Sequence, residues 1–133
     1  MGHKLCLGTA QFGLNYGITN NLGKVNLDEI KKIINVAHKS GIEYIDTAQS
    51  YGDAEFILGK TEFPLDNFSI ISKFSPKPEK TWGKADIKIW EKDFQKSLKN
   101  LNTLMCYLAF PRGNITSFGV KIYSENQFSE GKK

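Results

Sequence analysis

Short apolar runs that alternate with helix-period segments limit what this chain can fold into. Leu5-Cys6-Leu7 reads as a strand, and Gly8 and Thr9 then open a loop punctuated by Gly13, Gly17 and Gly23. Asn26 is placed to cap a helix, with Glu29 at the capping-box position. Ile30, Ile33, Ile34 and Ala37 follow at i, i+3, i+4 and i+7 and predict one buried helix face, and Gly41 is the expected stop. Ile42 to Asp46 is a second strand. Asp53 is expected to cap a brief helix through Phe56, Ile57 and Leu58 that ends at Gly59. Phe68 to Phe74 is a third strand, whose continuous apolar middle suits a sheet covered on both faces. Pro76 and Pro78 break the chain before a long helix from about Asp86 to Asn100, with Ile87, Trp90, Phe94, Leu98 and Leu101 as its buried stripe. Tyr107 to Phe110 is a fourth strand, Phe118 to Tyr123 a candidate fifth, and the last ten residues are polar. The order β-α-β-α-β-α-β implies an α/β fold with a parallel sheet and right-handed crossovers.

Several functions are excluded by composition. The net charge is +4, but the 18 basic residues include a single arginine, Arg112, and the lysines are interspersed with acids. A solvated surface is expected and no nucleic-acid partner, because base and phosphate readers favour arginine forks. Cys6 and Cys106, each in an apolar run, are expected to be free and buried. His3 and His38 have no second ligand at metal spacing. The N-terminus lacks a signal-peptide core, and no run is long enough to cross a membrane, so a cytoplasmic protein without a membrane partner is expected. Gly59-Lys60-Thr61 imitates the end of a phosphate-binding loop. The glycine required five residues earlier is Ala54, and the tripeptide follows a helix rather than a strand, so that reading fails.

Three polar residues remain near strand ends. Asp46 and Lys73 each close a strand, and Tyr51 lies in the loop after Asp46. In parallel α/β sheets, groups at the carboxyl ends of neighbouring strands converge on one crevice. An ammonium beside a phenol favours the phenolate, and a carboxylate keeps the ammonium charged and oriented. A tyrosine so placed can give a proton to a carbonyl oxygen while a hydride attacks the carbon. The same three residue types also occur together for purely structural reasons.

Longer motifs add to this. Leu7-Gly8-Thr9-Ala10-Gln11-Phe12-Gly13 resembles the opening strand of the aldo-keto reductases, and Gly41-Ile-Glu-Tyr-Ile-Asp-Thr-Ala-Gln-Ser-Tyr51-Gly52 with Glu55 and Leu58-Gly59 resembles that family's signature. Ile71-Ser72-Lys73 and Lys96-Ser97-Leu98-Lys99-Asn100-Leu101 are similar to the strand and helix that follow it in the family. The resemblance implies a (β/α)8 TIM barrel that reduces aldehydes or ketones with NADPH. It assigns Tyr51 as proton donor, Asp46 and Lys73 as the polarising pair, and Thr9 and Asp46 as cofactor contacts.

The chain departs from that pattern in three ways. Phe110 stands where the family has a catalytic histidine, and a phenyl ring donates no hydrogen bond. Phe118 to Ser124 resembles a later barrel strand, arriving without an intervening helix and with Lys121 in place of serine. A full barrel needs at least about 200 residues, whereas this sequence has 133. The expectation is therefore a partial barrel of four to five parallel strands and three helices. Residues 1–110 form its N-terminal half, and 111–133 a displaced strand-like segment with a loose tail. Reductase activity is expected to be impaired or absent in this chain. A half-barrel that self-associates through open sheet edges as a homo-oligomer, or a gene remnant, is the alternative.

Overall fold

A computed structural model of the chain describes residues 5–75, 84–109 and 120–123. Four parallel strands form one sheet in sequence order: β1 (Cys6–Gly8), β2 (Tyr44–Asp46), β3 (Ser69–Lys73) and β4 (Met105–Ala109). Helices α2 (Leu27–Lys39), α3 (Ala54–Gly59) and α4 (Lys84–Leu101) fill the crossovers. The short α1 (Ala10–Gly13) makes a fourth helix in a stretch expected to be loop. This is the α/β, partial-barrel arrangement anticipated from the alternating pattern.

The register sorts side chains by face. Ile45 of β2 pairs with Leu7 and Ile70. Ile45, Ile70, Ser72 and Cys106 are all buried on the helix-covered side. Tyr44, Asp46, Ser69, Ile71, Lys73 and Tyr107 alternate with them, and each keeps partial exposure. Helices therefore cover one face only among the described residues, and the apolar middle of β3 does not mark a doubly covered strand. Cys6 belongs to the open face. It is free but exposed, which corrects the expectation of burial, whereas Cys106 is free and buried as expected.

Local signals fare unevenly. The Asn26 side chain accepts the Glu29 N–H at 2.9 Å and caps α2. Gly41, at φ +75°, ends the helix with its N–H on His38 O while Ile42 N–H reaches Ala37 O, the paired bonds of a Schellman stop. Asp53 makes no side-chain cap on α3, because Lys24 takes its carboxylate at 2.6 Å. Gly59 matters through contact: a Cβ there would strike the main chain of Asn100 and Leu101 in α4. On α4, Phe94, Leu98 and Leu101 are buried and Trp90 stacks on Phe74 at 5.7 Å, but Ile87 is exposed.

The candidate fifth strand, β5 (Val120–Tyr123), pairs antiparallel with β4. A later barrel strand would run parallel, which corrects that part of the expectation. A parallel return needs a crossover of a dozen or more residues, usually helical, and residues 110–119 are too few. Phe110, Arg112 and the polar tail lie outside the described residues. No helix among the described residues is long and apolar enough to cross a membrane.

Thr47 is the one buried side chain whose polar atom has no hydrogen-bond partner among the described residues. Desolvating a hydroxyl without a partner costs about 1–3 kcal/mol. Thr47→Val keeps the shape and removes the hydroxyl, so it is expected to raise stability by about 1 kcal/mol in urea unfolding. A lower midpoint would show that the hydroxyl is satisfied.

Candidate active site

The carboxyl ends of β2 and β3 bring the three sequence-identified residues together. Register pairs Asp46 with Ile71, so Lys73 ends two residues further along the same face. From there Lys73 Nζ donates to Asp46 Oδ1 at 2.6 Å and to Thr47 O at 3.1 Å. The same ammonium stands 5.2 Å from the centroid of the Tyr51 ring, over its face. The Asp46 and Lys73 side chains keep 33% and 28% of their surface exposed, so water reaches the pair and screens its field.

Thr9 is anchored to the backbone of Asp46. Its residue is fully buried, and both its N–H and its hydroxyl donate to Asp46 O at 3.0 Å. The side chain thus holds the backbone of Asp46, which leaves no free hydroxyl proton for a cofactor. Gly8, its neighbour, sits on the open face, and a Cβ there would meet nothing within 4 Å.

Three supports of the site acquire their partners only in the fold. Gln49 donates its N–H to Lys73 O at 3.2 Å and its side-chain amide to Asp93 O and Ser97 Oγ on α4, both at 2.8 Å. It ties the Tyr51 loop to both β3 and α4. Gly13 and Gly52 meet backbone to backbone beneath Tyr51, and Gly52 takes φ +60°. The buried Glu55 of α3 accepts from Ser72 Oγ at 2.6 Å and from Asn100 Nδ2 at 3.4 Å, joining α3, β3 and α4. Cys6 lies near enough to Asp46 that the carboxylate adds to burial in raising its thiol pKa. Period-two alternation places Asp46 and Lys73 on one face. No local signal pairs Gln49 with α4 or Gly13 with Gly52, because these contacts join distant segments.

A pocket of about 380 Å3 opens beside this group, with Gly8, Thr9, Gln11, Tyr16, Asp46 and Tyr51 in its lining. That volume suits a small ligand or one end of a larger one. Its described lining contains no lysine or arginine.

On the other face, burial and then the Glu55 charge push the Cys106 thiol up from 9.0 to about 12. A raised acid pKa favours the protonated, folded form. Its contribution is complete below the unfolded value near 9 and is lost as pH rises towards 12, at about 1.4 kcal/mol per pH unit. Urea midpoints on either side of pH 9 are expected to fall more steeply for the wild type than for Cys106→Ala. Equal slopes would contradict this.

A parallel sheet with helical crossovers and a polar group gathered at its strand ends defines part of a (β/α) barrel with a candidate active site. The chain belongs to the aldo/keto reductase family, whose family model matches residues 4–114. Two solved structures of Pseudomonas aeruginosa proteins named as aldo-keto reductases are similar to it. One is 26% identical with a TM-score of 0.66, covering 82% of this chain and 43% of its own. The other is 25% identical with a TM-score of 0.64, covering 82% and 42%. The chain therefore spans less than half the length of these relatives. No curated protein sequence matches it.

Proposed function

We propose that Asp46, Lys73 and Tyr51 form the proton-delivering part of a carbonyl-reducing site for a small aldehyde or ketone, with NADPH as the reductant. The observation that carries this reading is the 2.6 Å Lys73–Asp46 pair set against the face of Tyr51. Tyr51 gives its hydroxyl proton to the substrate oxygen. Lys73 steadies the negative charge left on the phenol, and Asp46 holds Lys73 in place.

NADPH, when bound, supplies the hydride. The residues present suit its nicotinamide end: Gly8 leaves open space where a side chain would stand, so a flat ring can lie against the main chain. Asp46 lines the same pocket, and Thr9 contributes its position rather than a free hydroxyl. Among the described residues, the pocket lining has no cation for the cofactor phosphates. Together with the exposure of Asp46 and Lys73, this supports weak cofactor binding and slow turnover by these 133 residues alone.

Titration with NADPH, followed by its fluorescence, and then addition of a simple aldehyde tests both parts. Weak binding with slow, aldehyde-dependent loss of the signal is the expected result. Tight binding would refute the impairment, and no aldehyde-dependent loss at saturating NADPH would refute the reductase reading.

A further inference from the structure

The segment from Asp46 to Tyr51 carries two parts of the site at once. Thr47 O accepts from Lys73 Nζ at 3.1 Å, and the Tyr51 ring lies with the same ammonium over its face. Whatever fixes this segment therefore fixes the phenol against the ammonium. The β2–β3 ladder continues into it: Thr47 N–H donates to Ile71 O at 2.8 Å and Gln49 N–H to Lys73 O at 3.2 Å. Among the described residues, Gln49 makes the last main-chain bond to β3 before Tyr51, whose own N–H turns back to Ala48 O at 3.0 Å.

The side chain of Gln49 adds a second anchor, on a different element. Its Nε2 donates to Asp93 O and to Ser97 Oγ, both at 2.8 Å. The two acceptors stand four positions apart, one turn along the same flank of α4. Ser97 is fully buried and Gln49 half-buried, so water competes weakly for these bonds. Turning the amide over would set its carbonyl oxygen against Asp93 O, acceptor facing acceptor, so a single orientation is fixed. Phe94 and Leu98, next to the two acceptors in sequence, are buried. The amide thus ties the segment to a part of α4 that the core holds in place.

We propose that Gln49 is a positioning residue, its amide clamping the Tyr51 segment to α4 so that the phenol keeps its place beside the Lys73 ammonium. This role rests on the reductase reading above and extends it to a residue outside the reacting group. The described lining of the pocket beside Tyr51 does not include Gln49, so the clamp acts on proton delivery and leaves the binding of NADPH and aldehyde alone.

Hydrogen exchange and single-turnover kinetics on the same variants test it. Gln49→Met removes both donors at similar length, and Gln49→Glu removes them at similar volume. In each, exchange at the main-chain N–H of residue 49 and of Tyr51 is expected to quicken about tenfold, while that of Thr47 holds. The rate at saturating NADPH and aldehyde is expected to fall about 10- to 100-fold, the scale of a small misplacement, with both binding constants within about twofold of wild type. Ser97→Ala leaves the bond to Asp93 O, so its expected cost is about threefold, with nothing further when it is added to Gln49→Met, because the two residues share one bond. Two unrelated folding defects would multiply instead. Unchanged exchange, an unchanged rate, a loss carried by binding alone, or multiplying effects of Gln49→Met and Ser97→Ala would each overturn the clamp. Quickened exchange in the variants, beside a wild type with no aldehyde-dependent rate, would overturn the reductase reading and the positioning role with it.

Discussion

Gly13→Ala is expected to destabilise the chain by about 3 kcal/mol, the upper part of the usual range for overpacking. A Cβ on Gly13 falls on the carbonyl oxygen of Tyr51 and 2.5 Å from the nitrogen of Ala54. Those two atoms make the 3.1 Å hydrogen bond that leads into α3. Everything in the way is main chain, so no flexible side chain can swing aside. Gly52 reports the same closeness from the other side, since a Cβ there would meet Gly13 O. The displaced segment carries Tyr51, so the variant is expected to lose any reductase activity along with stability. Gly8→Ala is the matched control. It adds the same methyl in open space, so its urea midpoint is expected to stay within about 0.5 kcal/mol of wild type, while NADPH binding weakens because the methyl enters the face offered to the ring. A Gly13→Ala chain as stable as wild type would disprove the close approach.

Tyr51→Phe is expected to lower the aldehyde-dependent rate by about 10²–10⁴-fold, the usual worth of a positioned acid. The ring remains, with its packing against the core and the Lys73 ammonium over its face, so folding and NADPH affinity are expected to hold. Lys73→Met should also remove the rate. Its stability cost is expected to stay near 1 kcal/mol, because the ion pair it breaks is about one-third exposed. Single-turnover measurements with saturating NADPH separate these effects from binding. A Tyr51→Phe chain with the wild-type rate would remove Tyr51 from the chemistry.

The elements that could be read locally are those whose determinants lie within a few residues. Asn26 finds Glu29 N–H three positions away, and Gly41 closes α2 with bonds to the turn just behind it. The stripe of Ile30, Ile34 and Ala37 is buried as its spacing requires. Local reading failed where a distant group competed. Asp53 has the composition of a cap, but Lys24, twenty-nine positions earlier, takes its carboxylate. Leu5-Cys6-Leu7 looks uniformly buried, but strand alternation turns Cys6 to the uncovered face. Glu55 and Asn100 could be seen as parts of motifs. Their joint engagement, with Ser72 completing it, depends on α3, β3 and α4 meeting.

By itself, the order of residues determined the alternation of strands and helices, the parallel sense of the first four strands, and the three polar residues at or after strand ends. Those follow from periodicities of two and 3.6, which are properties of neighbours along the chain. Tertiary structure decided that Lys73 pairs with Asp46 while lying over Tyr51, that Thr9 spends its hydroxyl on Asp46 O, and that β5 returns antiparallel. Each depends on the packing of segments far apart in sequence, where register and close approach, rather than local preference, set which atoms can meet.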